Sequence, residues 1–338
     1  MSHTNLHSPT ESLMLKALDP DTRQLLALAK EAGYPPFQDL SPVKAREMYA
    51  AGWSVMQSDG GEVASVKDIE IPSEAGSLKL RVYRGLGTDS NHDLPCMLFL
   101  HGGGWVIGNL DSHDRLCRRL ANVAQLCVIA VDYRLAPEHP FPAGLQDVVK
   151  AWQWLHANAN ALQIDLSAVG VGGDSAGGNL AAVLALMGRD GEVNAPVFQA
   201  LIYPALDLTA CSQSYVDITE NVPLTAATMH YFINHYTPNE ADRLHWKASP
   251  LRANSLKGVA PALVLTVAHD PLCDEGKAYA QRLMAEGNRV SAMHLNDHVH
   301  GLLGMGKRVP AANHIADHIF KTIGFELHRC SVSSIKCP

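Results

Sequence analysis

The stretch Gly173-Asp174-Ser175-Ala176-Gly177 places a serine among residues small enough for a sharp turn, between the apolar run Val169–Val171 and a helix-compatible stretch. A strand, tight turn and helix in that order would expose the Ser175 hydroxyl above a sheet edge, where a nucleophile for acyl transfer is needed. The glycines are demanded sterically, because a tight elbow presses their α-carbons against neighbouring backbone. An ordinary Gly-rich turn yields the same string, so the flanking elements carry the reading. A second feature, His101-Gly102-Gly103-Gly104-Trp105, follows the apolar run Met97–Leu100 and offers backbone N–H groups that no side chain shields. Preorganised donors of this kind stabilise the oxyanion of a tetrahedral intermediate by about 2.7–4 kcal/mol each. Gly103, Gly104 and Ala176 are the expected donors.

An acyl-transfer serine also needs a base and a carboxylate to orient it, which in chain order serine, acid, histidine points to Asp270 and His300. Asp270 directly follows the apolar run Leu263–Val267 and His269, so it should emerge at the same sheet edge as Ser175. Asp274 and Glu275 compete with it but sit further on, where acids favour the start of a helix. His300 follows the alternating Val290, Ala292, His294 and precedes the last helix, with His298 as its rival. The two histidines have to be tested together. His294, His298, His300 and Asp297 could be read as a metal cluster, but the helical setting and glutamate of the zinc-peptidase pattern are missing. The glycine runs lack the Walker lysine and the dinucleotide fingerprint. The expectation is no cofactor and no metal.

Positioning these groups calls for a sheet whose strands end on one side. The runs at 96–100, 127–131, 169–171, 200–203 and 263–267 are nearly all apolar, as strands buried on both faces are. Helical stretches at about 115–123, 145–157, 179–187 and 277–285 separate them, so the expected fold class is α/β, a mostly parallel twisted sheet with helices on both faces. Leu78, Leu80 and Val82 alternate with Lys79, Arg81 and Tyr83, the pattern of a half-exposed edge strand, and Val66–Ile71 is a weaker case. Two helices precede the strands, the second opened by Ser41 as N-cap and Pro42 at the first position. The expected organisation is residues 1–55 as N-terminal cap helices, 56–207 as the first part of the core, 208–250 as an inserted helical cap, 251–330 as the second part, and 331–338 as a tail.

The composition agrees with such an enzyme. With 338 residues, 47% hydrophobic and 18% charged, the chain is neither disordered nor fibrous. A net charge of −7 spread without a basic block argues against a nucleic-acid partner. The start Met1–His7 lacks the order of a signal peptide, and no apolar run reaches the ~18 residues of a membrane span, so a cytoplasmic location with no membrane partner is expected. Seven cysteines at irregular spacing, without a Cys-x-x-Cys pair, read as reduced thiols.

Taken together, these motifs resemble the hormone-sensitive lipase-like family of α/β-hydrolases, in particular its bacterial esterases with the Gly-Asp-Ser-Ala-Gly elbow. The resemblance covers about residues 20–325. It rests on the two motifs above and on the segment from Asp132-Tyr133-Arg134 to Phe141-Pro142-Ala143, together with Tyr203-Pro204, Ser249-Pro250-Leu251, Asp270-Pro271-Leu272 and His300-Gly301. It implies the α/β-hydrolase fold with a helical cap, a Ser175–His300–Asp270 triad, an oxyanion hole from Gly103, Gly104 and Ala176, and a buried Arg134–Glu138 pair. Leu302 stands where the family usually has Phe, and Cys273 where many members have Arg. The implied activity is hydrolysis of short- to medium-chain carboxylic esters through an acyl-enzyme, in a pocket bounded by residues such as Trp53, Met229 and Phe232. An amidase or lactonase with the same triad, and a non-catalytic small-molecule receptor on the same fold, are the alternatives. A homodimer is compatible with the family likeness and with an exposed last strand.

Overall fold

The computed structural model describes residues 17–74, 76–88 and 92–334, with side chains to Ser331. Periodicity becomes architecture most directly in the sheet. Among the described residues it has eight strands, β1 (Ser65–Ser73), β2 (Gly76–Arg84), β3 (Leu94–Leu100), β4 (Cys127–Val131), β5 (Ile164–Asp174), β6 (Gln199–Ile202), β7 (Ala262–His269) and β8 (Val290–Val299). Their order is β1-β2-β4-β3-β5-β6-β7-β8. β2 runs antiparallel to β1 and β4, and every pairing from β4 to β8 is parallel. All residues of β3 and β4 are buried, which is why these strands carry no polar alternation.

Nine α-helices are described. α1 (Pro20–Ala32) and α2 (Pro42–Met56) precede the sheet, and α3 (Leu110–Ala124) and α4 (Ala143–Leu162) flank β4. α5 (Ala176–Arg189) follows β5, α6 (Gln213–Asp217) and α7 (Ala226–Tyr236) lie between β6 and β7, and α8 (Cys273–Ala285) and α9 (Pro310–Ser334) complete the order. Phe99 and Met97 of β3 pack with Leu120 of α3 and Phe320 of α9 on one face; Leu98 packs with Trp152 of α4, Leu180 of α5 and Leu283 of α8 on the other. α5 is apolar from Ala176 to Gly188 apart from Asn179 and is buried over that whole stretch, as a helix enclosed on every side must be.

Several expectations change at element ends. α3 starts at Leu110, ahead of the expected 115, because Asn109 and Ser112 form a reciprocal capping box. α9 runs to Ser334, so the expected tail from Ser331 begins inside a helix. Ser331 Oγ reaches Asp165 there, giving the polar turn a partner. The rest of the expected tail, 335–338, and the N-terminal residues 1–16 lie outside the described residues. No described helix is long and apolar enough to cross a membrane.

The implied Arg134–Glu138 pair is not formed. Arg134 Nε instead donates to Asp147 at 2.8 Å, while the exposed Glu138 receives Arg46 of α2 at 2.9 and 2.6 Å. Arg46 also donates to the carbonyls of Val106 (2.8 Å) and Ala136 (2.9 Å), so one side chain fastens α2 to the core. The buried Asp147 also receives the Arg134 backbone N–H, a closed local pairing that leaves Glu138 for the helix above.

The Arg46 hydrogen bonds hold the Glu138 carboxyl down at about 2, against an ordinary value of 4.5. A depressed carboxyl stabilises the fold fully above its unfolded value and loses that contribution as pH falls towards the folded one. The melting-temperature gap between wild type and Glu138→Gln should therefore be widest at neutral pH and close between about 4.5 and 2. A gap independent of pH would contradict this pairing.

Candidate active site

The strand order reverses between β3 and β5, since β3 leads to β4 on one side while β5 to β8 proceed on the other. Loops leaving the carboxyl ends of two such strands diverge and open a crevice. His101–Gly104 leave β3 there, and Ser175 leaves β5. Ser175 has φ 55° and ψ −117°, a conformation that a side-chain-bearing residue seldom adopts and that the surrounding bonds enforce. Its N–H donates to Ile202 O at 2.8 Å, and its carbonyl accepts from Asn179 N and Ala205 N at 3.1 and 3.2 Å. The turn closes only because Gly177 lacks a side chain, as a Cβ there would sit 1.9 Å from Leu100 O.

Three distant stretches converge on this turn. His300 Nε2 lies 2.9 Å from Ser175 Oγ, and His300 Nδ1 lies 2.7 Å from Asp270 Oδ2. Asp270 is fully buried, and its other oxygen accepts from Leu272 N at 2.9 Å. A carboxylate accepts only, so the imidazole proton is assigned to Nδ1 and Nε2 is left to accept from the serine hydroxyl. The Tyr203 ring, 4.7 Å from the His300 ring, packs against it. This arrangement can pull the proton from Ser175 as its oxygen attacks a carbonyl.

The rival residues are engaged elsewhere. His298 turns Nδ1 towards Thr22 of α1 (3.5 Å) and Nε2 towards Asp297 (3.6 Å). Asp274 accepts from Ser214 N at 2.9 Å, and Glu275 from Leu206 N at 2.6 Å. Burial pushes the Glu275 carboxyl well above its ordinary range, with Asp207 and Asp270 adding to the effect against two amide hydrogen bonds. His294 pairs with Thr266 at 2.9 Å.

Gly103 and Gly104 have φ of +120° and +57°, and Ala176 is the first residue of α5, where backbone N–H groups have no helical acceptor. Phe232 of α7 lies over Gly104 and Trp53 of α2 over Gly304, where a Cβ on either glycine would meet the ring. Met229 is buried on the same helix as Phe232. Leu302, the departure from the family pattern, packs with Leu18, Val299 and Met305; Cys273 opens α8 and is buried.

Two residues of the site escape a reading of the sequence. Asp174 accepts from Gly102 N at 2.9 Å and faces His113 Nε2 at 3.2 Å. A charge at the end of a buried strand was the available signal, since such a group must find a partner. The partners, however, come from other elements.

A family model described as alpha/beta hydrolase fold matches residues 97–304. The chain belongs to this family, in the hormone-sensitive lipase-like branch its motifs resemble. It is 36% identical to the ethyl acetate hydrolase of Pseudomonas putida over 303 residues, 88% of this chain and 95% of that protein. It is 41% identical to the carboxylic ester hydrolase LipN of Mycobacterium tuberculosis over 246 residues, 71% of this chain and 65% of LipN. Among solved structures it is similar to the ester hydrolase EH1AB1 from the metagenome of Lake Arreo, with a TM-score of 0.87, 38% identity, and coverage of 91% of this chain and 98% of the other.

Gly177→Ala should lower stability by about 2–4 kcal/mol in urea titration, since the added methyl must displace β3 backbone. Its esterase activity should fall at least about 100-fold, because the elbow shifts with it. A variant with wild-type stability and rate would refute the close approach.

Proposed function

We propose that this chain is a serine carboxylesterase that hydrolyses short- to medium-chain esters through an acyl-enzyme. The observation that carries this is the unbroken hydrogen-bond path from Ser175 through His300 to the buried Asp270, at a strained elbow beside the Gly-rich loop. In this reading His300 takes the Ser175 proton as Oγ attacks the ester carbonyl, and Asp270 stabilises the imidazolium that forms. Gly103, Gly104 and Ala176 N–H groups receive the oxyanion. The C–O bond breaks, the alcohol leaves with the proton from His300, and water then repeats the attack to release the acid. No cofactor takes part.

The chain-length preference rests on the cap, formed by α1, α2 and the 208–250 insertion, whose rings at Trp53 and Phe232 bound the space near the nucleophile. A bounded apolar site favours small substrates over an emulsion surface. We attach a cytoplasmic location to this reading because Cys96 and Cys127, opposite each other on β3 and β4, are free thiols. A homodimer belongs to it as well, supported by β8 standing at the end of the sheet with exposed residues Ser291, Ala292, Asn296 and Asp297.

Ser175→Ala and His300→Ala should each lower kcat on p-nitrophenyl butyrate about 10⁴-fold or more. A fluorophosphonate should label wild type and leave Ser175→Ala unlabelled. Full activity in His300→Ala, or an unlabelled wild type, would defeat the assignment. Across p-nitrophenyl esters, turnover should be highest between acetate and hexanoate; faster turnover of long-chain emulsified ester would defeat the chain-length claim.

A further inference from the structure

The Gly102–Gly104 loop has three consecutive N–H groups, and its tethers decide which of them face the nucleophile. In a trans peptide the carbonyl and the following N–H point in opposite directions. Gly102 O accepts from His101 Nδ1 at 2.8 Å, which turns the Gly103 N–H the other way. Gly103 O accepts from Val106 N and Ile107 N at 3.1 and 2.9 Å, which does the same for Gly104 N–H. The remaining donor, Gly102 N–H, goes to Asp174 Oδ1 at 2.9 Å.

Asp174 is the residue before Ser175, so one carboxylate ties the oxyanion loop to the strand end that carries the nucleophile. It is itself clamped. His113 Nε2 stands 3.2 Å from the same oxygen, and His113 Nδ1 lies 2.9 Å from Ser112 Oγ in the capping box of α3. Burial works against a charge on Asp174, yet the imidazoles of His113 and His101 and the hydrogen bonds from His113 and Gly102 outweigh it and hold the carboxyl below its ordinary range. His101, stacked on Tyr133 at 4.3 Å, is pushed down to about 3, first by burial and then by His113.

We infer that Asp174, held by His113, is a positioning residue for ester hydrolysis: it sets the height of the Gly103 and Gly104 amides over Ser175. The inference rests on the serine-esterase reading above and adds residues outside the proposed triad. Its loss should weaken binding of the transition state more than binding of the ester, because only the former carries the charge that the amides receive.

The test compares wild type, Asp174→Ala, Asp174→Asn, His113→Leu and the double variant Asp174→Ala/His113→Leu. It reads kcat and KM on p-nitrophenyl butyrate, the Ki of an alkyl trifluoromethyl ketone, and the fraction of competent serine by fluorophosphonate titration. Per competent serine, Asp174→Ala should lose about 30- to 100-fold in kcat with KM within about threefold, and Ki should rise as kcat/KM falls. Asp174→Asn keeps an oxygen for Gly102 N–H and should recover about tenfold over Asp174→Ala. His113→Leu should slow the wild type, yet change Asp174→Ala by less than about twofold.

A kcat for Asp174→Ala within threefold of wild type, a loss confined to KM, or Asn no better than Ala would overturn the inference. Should Asp174→Ala not fold, a wild-type kcat in both Asp174→Asn and His113→Leu would overturn it equally. The control is Ser175→Ala. If that variant stays active, the serine reading fails; if it is inactive while Asp174→Ala is unimpaired, only the positioning role fails.

Discussion

The carbonyl of Leu100 stands where a side chain on Gly173 or Gly177 would have to be, and this contact between the end of β3 and the turn after β5 governs the site. It brings the Gly-rich loop and the elbow within reach of shared hydrogen bonds. A larger residue at either glycine would push the elbow at Ser175 away from the Gly-rich loop. The strain of Ser175 is tolerable for the same reason, because Ile202 of β6, Asn179 of α5 and Ala205 in the loop after β6 hold its backbone.

Around that contact the buried carboxyl groups are sorted by their partners. Asp174 faces the His113 imidazole and the Gly102 amide, which help hold its carboxyl below the ordinary range despite burial. Glu275 has amide partners but also Asp207 and Asp270 nearby, and burial pushes its carboxyl well above the ordinary range. Glu275 orders the chain after β6 by accepting from Leu206 N. Environment, more than residue type, gives each acid its role.

The helices above the sheet are attached by a few specific links. Arg46 bonds α2 to two core carbonyls and Glu138, and Gln57 Nε2 donates to Ser112 O at 2.6 Å. α1 is anchored at its start by Asp19 N to Asp297 O at 2.8 Å and by Leu18 against Val299 and Leu302, while much of its surface stays exposed. Such thin attachment gives the segment low local stability, since sparse contacts do so generally.

Much of this was legible from the residues alone. Apolar runs, their helical separators and the Ser41-Pro42 cap are encoded within a few positions, because burial and capping act locally on the backbone, and the motifs singled out Ser175, Asp270 and His300. Tertiary structure decided what depends on partners far apart in the chain. It chose His300 over His298 by putting Thr22 and Asp297 beside the latter, and gave Arg134 to Asp147 and Glu138 to Arg46. It also joined Gly102 to Asp174. Periodicity tells which face of an element is buried, whereas which two polar groups meet is set by strand order and helix packing, and no short-range pattern records those.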